Sequence, residues 1–368
     1  MKKILFLIHD LGYGGAEKVL VNLANHLDKT KYDVTVQTLF DVGENKQFLS
    51  KDVKYIGGWK KVFRGNAALM RLLPVKWLSQ LVIKCDYDVV VSFLEGPCTR
   101  IVSACQGRKI AWVHTAFKRI ESLTSHYKSL NEMQNCYNQF DLIVCVSETV
   151  KDNFLSYLVP SAPCRVLHNV NDTAFIIAKS KEYQNVIVRN DSCINMVSVG
   201  RLIIPYKGYD RLIRIHKKLL DNGINNKLYI LGDGPDKDKL QNLITQLHVS
   251  DTCKLLGFDE NPYKYVVNAD LFVCSSHKEG FSTAVTEALI LGVAVVSTEV
   301  SGAKELLGDN NEYGIVTENT DEELYNGIYN ILKNQERLDY YKNQSAIRGK
   351  AFHTEQTVKE AERVFESL

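Results

Sequence analysis

Short apolar runs alternate with longer amphipathic segments from one end of this chain to the other, and that rhythm leaves few folds open. In the first half the runs fall at Lys3–Ile8, Asp33–Thr38, Val89–Phe93, Lys109–His114, Leu142–Val146 and Arg165–His168. The second half repeats them at Ile194–Val199, Lys227–Leu231, Cys253–Leu256, Leu271–Cys274, Ala294–Ser297 and Gly314–Val316. Runs this short and this apolar predict strands buried on both faces, hence parallel sheets. The segments between them, such as Ala16–His26, Tyr209–Asp221 and Glu322–Lys333, read as helices. Alternation of strand and helix predicts an α/β chain with doubly wound parallel sheets. Twelve strands exceed one open sheet of usual size and fit two sheets of about six. The 368 residues likewise suit two domains. The polar stretch Asn169–Asn190 has no clear period and marks the break, with a first domain over 1–172 and a second over 173–353.

Composition excludes several classes. Hydrophobic residues make up 45% and charged residues 24%, an ordinary globular mix. A formal net charge of +2 argues against a general polyanion binder and against nucleic acid as a partner. Two lysines precede the five-residue apolar run Ile4–Ile8, too short for an export signal and followed by no small-residue cleavage site. No apolar run approaches the roughly 18 residues of a membrane span. The nine cysteines are scattered without a C-x-x-C pair, which points away from disulfides and zinc and toward a cytoplasmic setting.

The chemistry gathers after strand ends. Leu271-Phe-Val-Cys runs into Ser275-Ser-His-Lys and then Glu279-Gly-Phe-Ser-Thr-Ala-Val-Thr-Glu287, with a helix over Ala284–Leu291. Glu279 therefore lies in a loop at the carboxyl end of a strand. Gly280, Phe281, Ser282 and Thr283 lie at a helix N-terminus, whose free N–H groups can hold a phosphate. Glu287, one turn inside, can accept from two vicinal hydroxyls as acids do for ribose. Alone, Glu279 also reads as a capping acid and Glu287 as an exposed helical acid. Arg201 ends the strand of Val197-Ser-Val-Gly-Arg-Leu, and Lys207 precedes the helix at Tyr209. A guanidinium fork and an ammonium could neutralise a diphosphate without a metal, although both also read as surface charge. Gly232 and Gly234 form a glycine-rich turn after Leu228-Tyr-Ile-Leu, and permit close approach and positive φ. Asp236-Lys-Asp238 reads as a helix start and not as a metal site.

In the first half, strand Ile4–Ile8 runs into Leu11-Gly-Tyr-Gly14-Gly15-Ala-Glu17. Glu17 occupies the third glycine position of a dinucleotide fingerprint, which counts against the rival reading as a dinucleotide-dependent oxidoreductase. This turn instead suits an acceptor or a phosphate edge. His114 ends the strand Ile110-Ala-Trp-Val-His, at the end of a sheet where ligands bind. Between Val53 and Cys85 stand seven basic residues (Lys54, Lys60, Lys61, Arg64, Arg71, Lys76, Lys84) and no acid, interleaved with Trp59, Phe63, Leu69, Leu72, Trp77 and Leu81. That mix suits an anionic membrane surface, and equally a solvated helical face.

Taken in order, Gly14-Gly15-Ala-Glu17, His114, Ser147-Glu148, His168-Asn169, Val199-Gly-Arg201-Leu, Lys207-Gly208, Gly232-Asp-Gly-Pro235, Leu256-Gly257-Phe258 and the E-x7-E of Glu279 and Glu287 resemble the retaining glycosyltransferases of family 4. The resemblance covers nearly the whole chain. It implies the GT-B fold, two facing Rossmann-like domains with an interdomain cleft, and a last helix, around 354–368, that returns to the first. It assigns the ribose to Glu287, the diphosphate to Arg201, Lys207 and the backbone of Phe281–Thr283, and the transferred sugar to Glu279 and His114. Gly14 and Gly15 would lie near phosphate or acceptor, and Gly257 and Phe258 near the base. The implied partners are a nucleotide diphosphate sugar, read here as a UDP-sugar, and a saccharide or lipid-linked acceptor. No metal or other cofactor is expected. A catalytically silent nucleotide-sugar binder is the closest rival. One departure is Asn169-Val170-Asn171-Asp172, where Val170 replaces the family's small residue and leaves Asp172 without a role.

Overall fold

In the computed structural model of the chain, the structure describes residues 1–12, 14–63, 65–84, 86–117, 125–182, 187 and 193–368. Tyr13, Arg64, Cys85 and part of the expected linker lie outside these residues. The chain forms two units: Met1–Asn171 with Thr354–Leu368, and Asp172–His353.

The first unit is built on β1 (Lys2–Ile8), β2 (Tyr32–Thr38), β3 (Lys54–Ile56), β4 (Val89–Ser92), β5 (Arg108–Val113), β6 (Leu142–Cys145) and β7 (Cys164–Val166). Among the described residues these make one sheet in the order β3-β2-β1-β4-β5-β6-β7, every pair parallel. The register sets Ile4 beside Val34 on one side and Val89 on the other. Ile4 through Ile8 are fully buried, so β1 has no solvent face and reads as an unbroken apolar run. Helix Thr354–Glu366 covers this sheet, with Phe365 edge-on to Phe6 at 5.9 Å and Lys2 Nζ donating to the Phe365 carbonyl at 2.7 Å. Strand β3 is the one the apolar pattern does not predict. It has three residues, with an exposed Lys54 and Ile56 at the sheet edge, so burial left no mark on its sequence.

The second unit contains β8 (Ile194–Val199), β9 (Asn226–Leu231), β10 (Cys253–Gly257), β11 (Leu271–Cys274), β12 (Ala294–Thr298) and β13 (Ile315–Thr317). Among the described residues these form a parallel sheet in the order β10-β9-β8-β11-β12-β13. Met196, Leu228, Leu271, Val273 and Val296 from its strands share a buried core with Leu212, Leu219, Leu324 and Ile328 from the helices over it. Asp172 opens this unit. Its carboxylate accepts from the Phe175 N–H at 2.9 Å and caps helix Thr173–Ser180, worth about 1 kcal/mol. That supplies the role the sequence left open.

The basic segment is not a single element. Beyond β3 it folds into helices Asn66–Leu72 and Val75–Val82, with Pro74 as the N-cap of the second. Met70 and Leu78 point inward and are buried. Arg100, only 1% exposed, fastens this hairpin. Its guanidinium donates to the carbonyls of Met70 (2.6 Å) and Leu73 (3.0 Å), at the end of the first helix, and to Glu132 (2.8 Å). No helix of the described residues is long and apolar enough to cross a membrane.

Burial raises the Glu132 pKa, but Arg100 and the Lys128 N–H outweigh it, so the carboxyl titrates below its ordinary 4.5. A depressed carboxyl contributes stability above its unfolded pKa and loses it as pH falls through the folded value. Arg100→Met leaves Glu132 and two carbonyls without their donor, and should destabilise the first unit by about 3 kcal/mol at pH 7. Urea midpoints at pH 7 and pH 3 should show that deficit narrowing at the lower pH.

Candidate active site

In the second sheet the strand order turns at β8 and β11. Crossovers leave in opposite directions from such a pair and open a crevice at the carboxyl ends of the strands. Four loops begin there: Gly200-Arg201 after β8, Gly232-Asp-Gly234 after β9, Gly257-Phe258 at the end of β10, and Ser275–Ser282 after β11. The first three lie against one another. Gly232 has φ +137°, and a Cβ on it would run into the Gly200 carbonyl, so no side chain fits. Its N–H donates to the Gly257 carbonyl at 2.8 Å. Gly234 does not adopt positive φ. Its bare α-carbon is needed for space, because a Cβ would stand 2.6 Å from the Leu202 carbonyl oxygen.

Lys207 and Glu279, far apart in sequence, form an ion pair of 2.6 Å. The Lys207 stem crosses Gly200, where a Cβ would come within 3.2 Å of its Cε. Gly208 follows with φ +61°, and a Cβ there would meet the Ser275 carbonyl. The turn can therefore press onto the β11 loop only with glycine at this position. The His277 N–H donates to the Tyr206 carbonyl at 2.7 Å and closes the same contact. Burial lowers the Lys207 pKa, but the Glu279 carboxylate beside it more than reverses this and holds the ammonium above its ordinary value. Ser276 Oγ also donates to Glu279, at 2.5 Å. Arg201 is exposed, and among the described residues its guanidinium has no hydrogen-bond or ion-pair partner.

After Glu279 and Gly280, Phe281 is buried, its ring 6.3 Å from that of Phe352. Ser282 caps helix Thr283–Ile290, its Oγ accepting from Val285 N–H. Glu287 is only 6% exposed, which excludes the reading as an exposed helical acid. Tyr263 donates to its Oε1 at 3.3 Å. Phe258 is 47% exposed at the tip of its turn. The rim thus offers a paired ammonium, an exposed guanidinium, a helix N-terminus and two carboxylates, which suits a ligand carrying both phosphate and hydroxyls.

The first sheet turns in the same way at β1 and β4. Gly15 begins helix Gly15–His26, and Gly14 is its N-cap. The bare face of Gly14 is occupied, because the Glu17 carboxylate lies where a Cβ would stand. That is the reach of a capping-box acid back toward its N-cap. His114, just past β5, is 8% exposed and packs at a tilt of 52° against Phe93, ring centres 4.8 Å apart. Its ring bonds to the Phe93 backbone, and among the described residues its buried Nε2 has no partner. Glu95, in the loop after β4, accepts from the N–H groups of both His114 and Thr115 at 2.7 Å.

Two family models match in sequence: Glycosyltransferase Family 4 over residues 13–175, and Glycosyl transferases group 1 over 179–348. A Campylobacter jejuni protein named N-acetylgalactosamine-N,N'-diacetylbacillosaminyl-diphospho-undecaprenol 4-alpha-N-acetylgalactosaminyltransferase is 30% identical, over 96% of this chain and 96% of its own. The chain belongs to the family 4 glycosyltransferases. Its two parallel-sheet units are those of the GT-B fold. A lipopolysaccharide core biosynthesis glycosyltransferase of Rhizobium meliloti is 28% identical over 84% of this chain and 83% of its own. Among solved structures, Anabaena HepE in complex with UDP and glucose superposes with a TM-score of 0.79 at 21% identity, covering 100% of both chains.

Several residues of this glycosyltransferase escaped the sequence reading. Ser276 was signalled only as a polar end to the strand Leu271–Cys274. Glu95 stood unremarked in Leu94-Glu-Gly-Pro97, and Tyr263 carried no signal, because it meets Glu287 only through the fold. Ser147, quoted among the motif residues without a role, is fully buried and caps helix Glu148–Tyr157 by accepting from Val150 N–H at 3.0 Å. Asp236 accepts from Ile204 N–H at 2.9 Å and from Lys239 at 2.7 Å, so it fixes the Arg201–Lys207 loop. A depression of about 850 Å³ lined by Lys2, Asp88, Arg108 and Asp141 lies at the amino ends of the first sheet's strands, away from these loops.

Burial pushes the His114 pKa down to about 3, against the weaker opposite effect of the Phe93 bond. The ring is therefore neutral near pH 7. An unfolded histidine takes its proton near 6.5, so this site favours folding above that pH and loses the advantage as pH falls toward 3. Ring-nitrogen NMR should show no His114 inflection between pH 5 and pH 8.

Proposed function

We propose that the chain is a retaining, metal-independent transferase that moves a hexose or an N-acetylhexosamine from a UDP-sugar to a saccharide or lipid-linked acceptor in surface polysaccharide assembly. The observation that carries this reading is the Lys207–Glu279 pair beside Gly200-Arg201, at the switch point of the second sheet. Lys207 and Arg201 take the diphosphate, with the N–H groups of Phe281–Thr283 after Gly280. Glu287 takes the ribose hydroxyls, and Gly232, Gly257 and Phe258 border the base. Glu279 orients the transferred sugar. In the first unit His114 reads a sugar hydroxyl, and Gly14 and Gly15 border phosphate or acceptor. The names of the Campylobacter and Rhizobium relatives, and the UDP and glucose held by the Anabaena protein, support this choice of donor and acceptor class.

In the proposed step the bond from the anomeric carbon to the diphosphate breaks. The acceptor oxygen bonds on the same face, and its proton passes to the departing phosphate. Arg201 and Lys207 stabilise the charge that builds on that phosphate, the largest contribution protein groups make to such a step. Glu287→Ala and Arg201→Ala should each weaken UDP binding about tenfold by calorimetry, the loss of one charge-assisted contact. Unchanged affinity in both would sink the site assignment. Retention would show as an α-linked product from an α-linked donor by NMR, with the rate unaltered by EDTA.

The same reading brings the chain to the inner face of an anionic membrane through the basic segment. Trp59, Phe63, Leu69, Leu72, Trp77 and Leu81 are each more than 40% exposed, among basic residues that no acid between Val53 and Cys85 balances. Lys54 is already paired with Asp33 at 2.6 Å. Trp59 and Phe63 rest on Phe40, and Phe40 on His9, so this face is carried beside the glycine turn after β1. Each basic side chain near such a surface contributes about 1 kcal/mol. Reversing Lys60 and Lys61 to glutamate should weaken flotation with phosphatidylglycerol vesicles tenfold or more at low salt. Wild-type protein that stays at the bottom of the gradient would end the idea.

A further inference from the structure

Arg211 lies in the first turn of helix Tyr209–Asp221 and is only 2% exposed. A buried guanidinium normally sits on a carboxylate, since an unpaired buried charge is expensive. Here the nearest acid oxygen is that of Asp321 at 3.9 Å, on a side chain 64% exposed. The guanidinium is instead spent on carbonyls. Nε donates to the Ser275 carbonyl at 2.8 Å, and Nη2 donates to the same carbonyl and to that of Ser276 at 2.8 Å. Nη1 donates to Asn319 Oδ1 at 2.8 Å. The Ser276 carbonyl also accepts from Thr298 Oγ1 at 2.6 Å and Asn319 Nδ2 at 3.4 Å.

Three side chains, from helix Tyr209–Asp221, strand β12 and the loop after β13, therefore converge on one carbonyl, more donors than an ordinary loop carbonyl attracts. That peptide begins the loop carrying Glu279. Ser275 and Ser276 face the other way with their hydroxyls: Ser275 Oγ donates to the Lys207 carbonyl at 2.8 Å, and Ser276 Oγ donates to Glu279. With the carbonyls clamped, both hydroxyls are fixed, and with them the two partners of the ion pair. A Cβ on Gly208 would lie 2.8 Å from Arg211 Nε, so the turn after Lys207 packs directly on the guanidinium.

We propose that Arg211 is a positioning residue for the donor diphosphate: it clamps the Ser275 and Ser276 carbonyls, and so holds Lys207 and Glu279 in register for the ligand. The proposal rests on the reading of Lys207 as a phosphate ligand. Lysine at this position keeps the charge but has no planar fork with which to bridge two carbonyls and an amide.

The test is a double-mutant cycle read by calorimetry with UDP and with uridine. Arg211→Lys should bind UDP about tenfold more weakly, with uridine affinity unchanged, because only the phosphate half loses its setting. Lys207→Ala should also lose about tenfold. The double variant should be no weaker than Lys207→Ala alone, since a residue acting through Lys207 has nothing left to position. Arg214→Ala, an exposed neighbour on the same helix, should match wild type. Losses that multiply to about a hundredfold, or a folded Arg211→Lys with wild-type UDP affinity, would overturn the clamp. A Lys207→Ala with unchanged affinity would overturn the phosphate reading beneath it. If Arg211→Lys fails to fold, Asn319→Ala removes one anchor of the fork, and should weaken UDP about threefold without moving the thermal midpoint. An Asn319→Ala variant with wild-type UDP affinity would reject the proposal.

Discussion

A parallel strand buried on both faces can be followed by another only through a crossover that covers one of those faces. This constraint organises both units. It forces strands such as Ile4–Ile8 and Leu271–Cys274 to be apolar throughout. It also sends the polar residues to the strand ends, where every crossover must begin. The loops after β8 and β11 are crowded with charge because they are the nearest places to the switch point where charge can stand.

Within that frame the Lys207–Glu279 pair is the point where local geometry and electrostatics meet. Both groups are largely removed from water, so neither is comfortable alone. The pair holds a cation and an anion at a rim that would otherwise be left with an uncompensated charge. Strongly hydrated side chains on flexible loops could not keep such a poise. The bare α-carbons of Gly200, Gly208 and Gly232 let backbone pack on backbone, so the loops behave as part of the sheet.

Much of this was legible in advance where burial writes itself into sequence. Most of the expected strands were visible because they are apolar and buried on both faces, while β7 and β10 are only partly buried. β3 was not, because Lys54–Ile56 lies at an edge and buries too little to leave a pattern. The loop positions of Arg201 and Glu279 were legible because polar residues soon after apolar runs stand at strand ends, and Glu287 because it falls one turn inside the helix that follows. Ser276 and Glu95 follow the same rule less conspicuously. Tyr263 beneath Glu287, and Arg100 at the helical hairpin, follow no local rule. Each is defined by a partner that only chain topology brings near.

By itself, then, the sequence determined the strand-and-helix rhythm, the two-unit division and the polar ends of the strands, since all three follow from local apolarity and its interruptions. Only the tertiary structure decided which charges are paired and which are open. Arg201 and Lys207 read alike as basic residues after β8, yet one is exposed and the other is held by a carboxylate from a distant loop. Asp172 and Ser147 became helix caps, Gly14 lost its open face to Glu17, and His114 became a neutral, enclosed ring. A side chain's partner and its exposure depend on residues far away in sequence, and no window along the chain contains them.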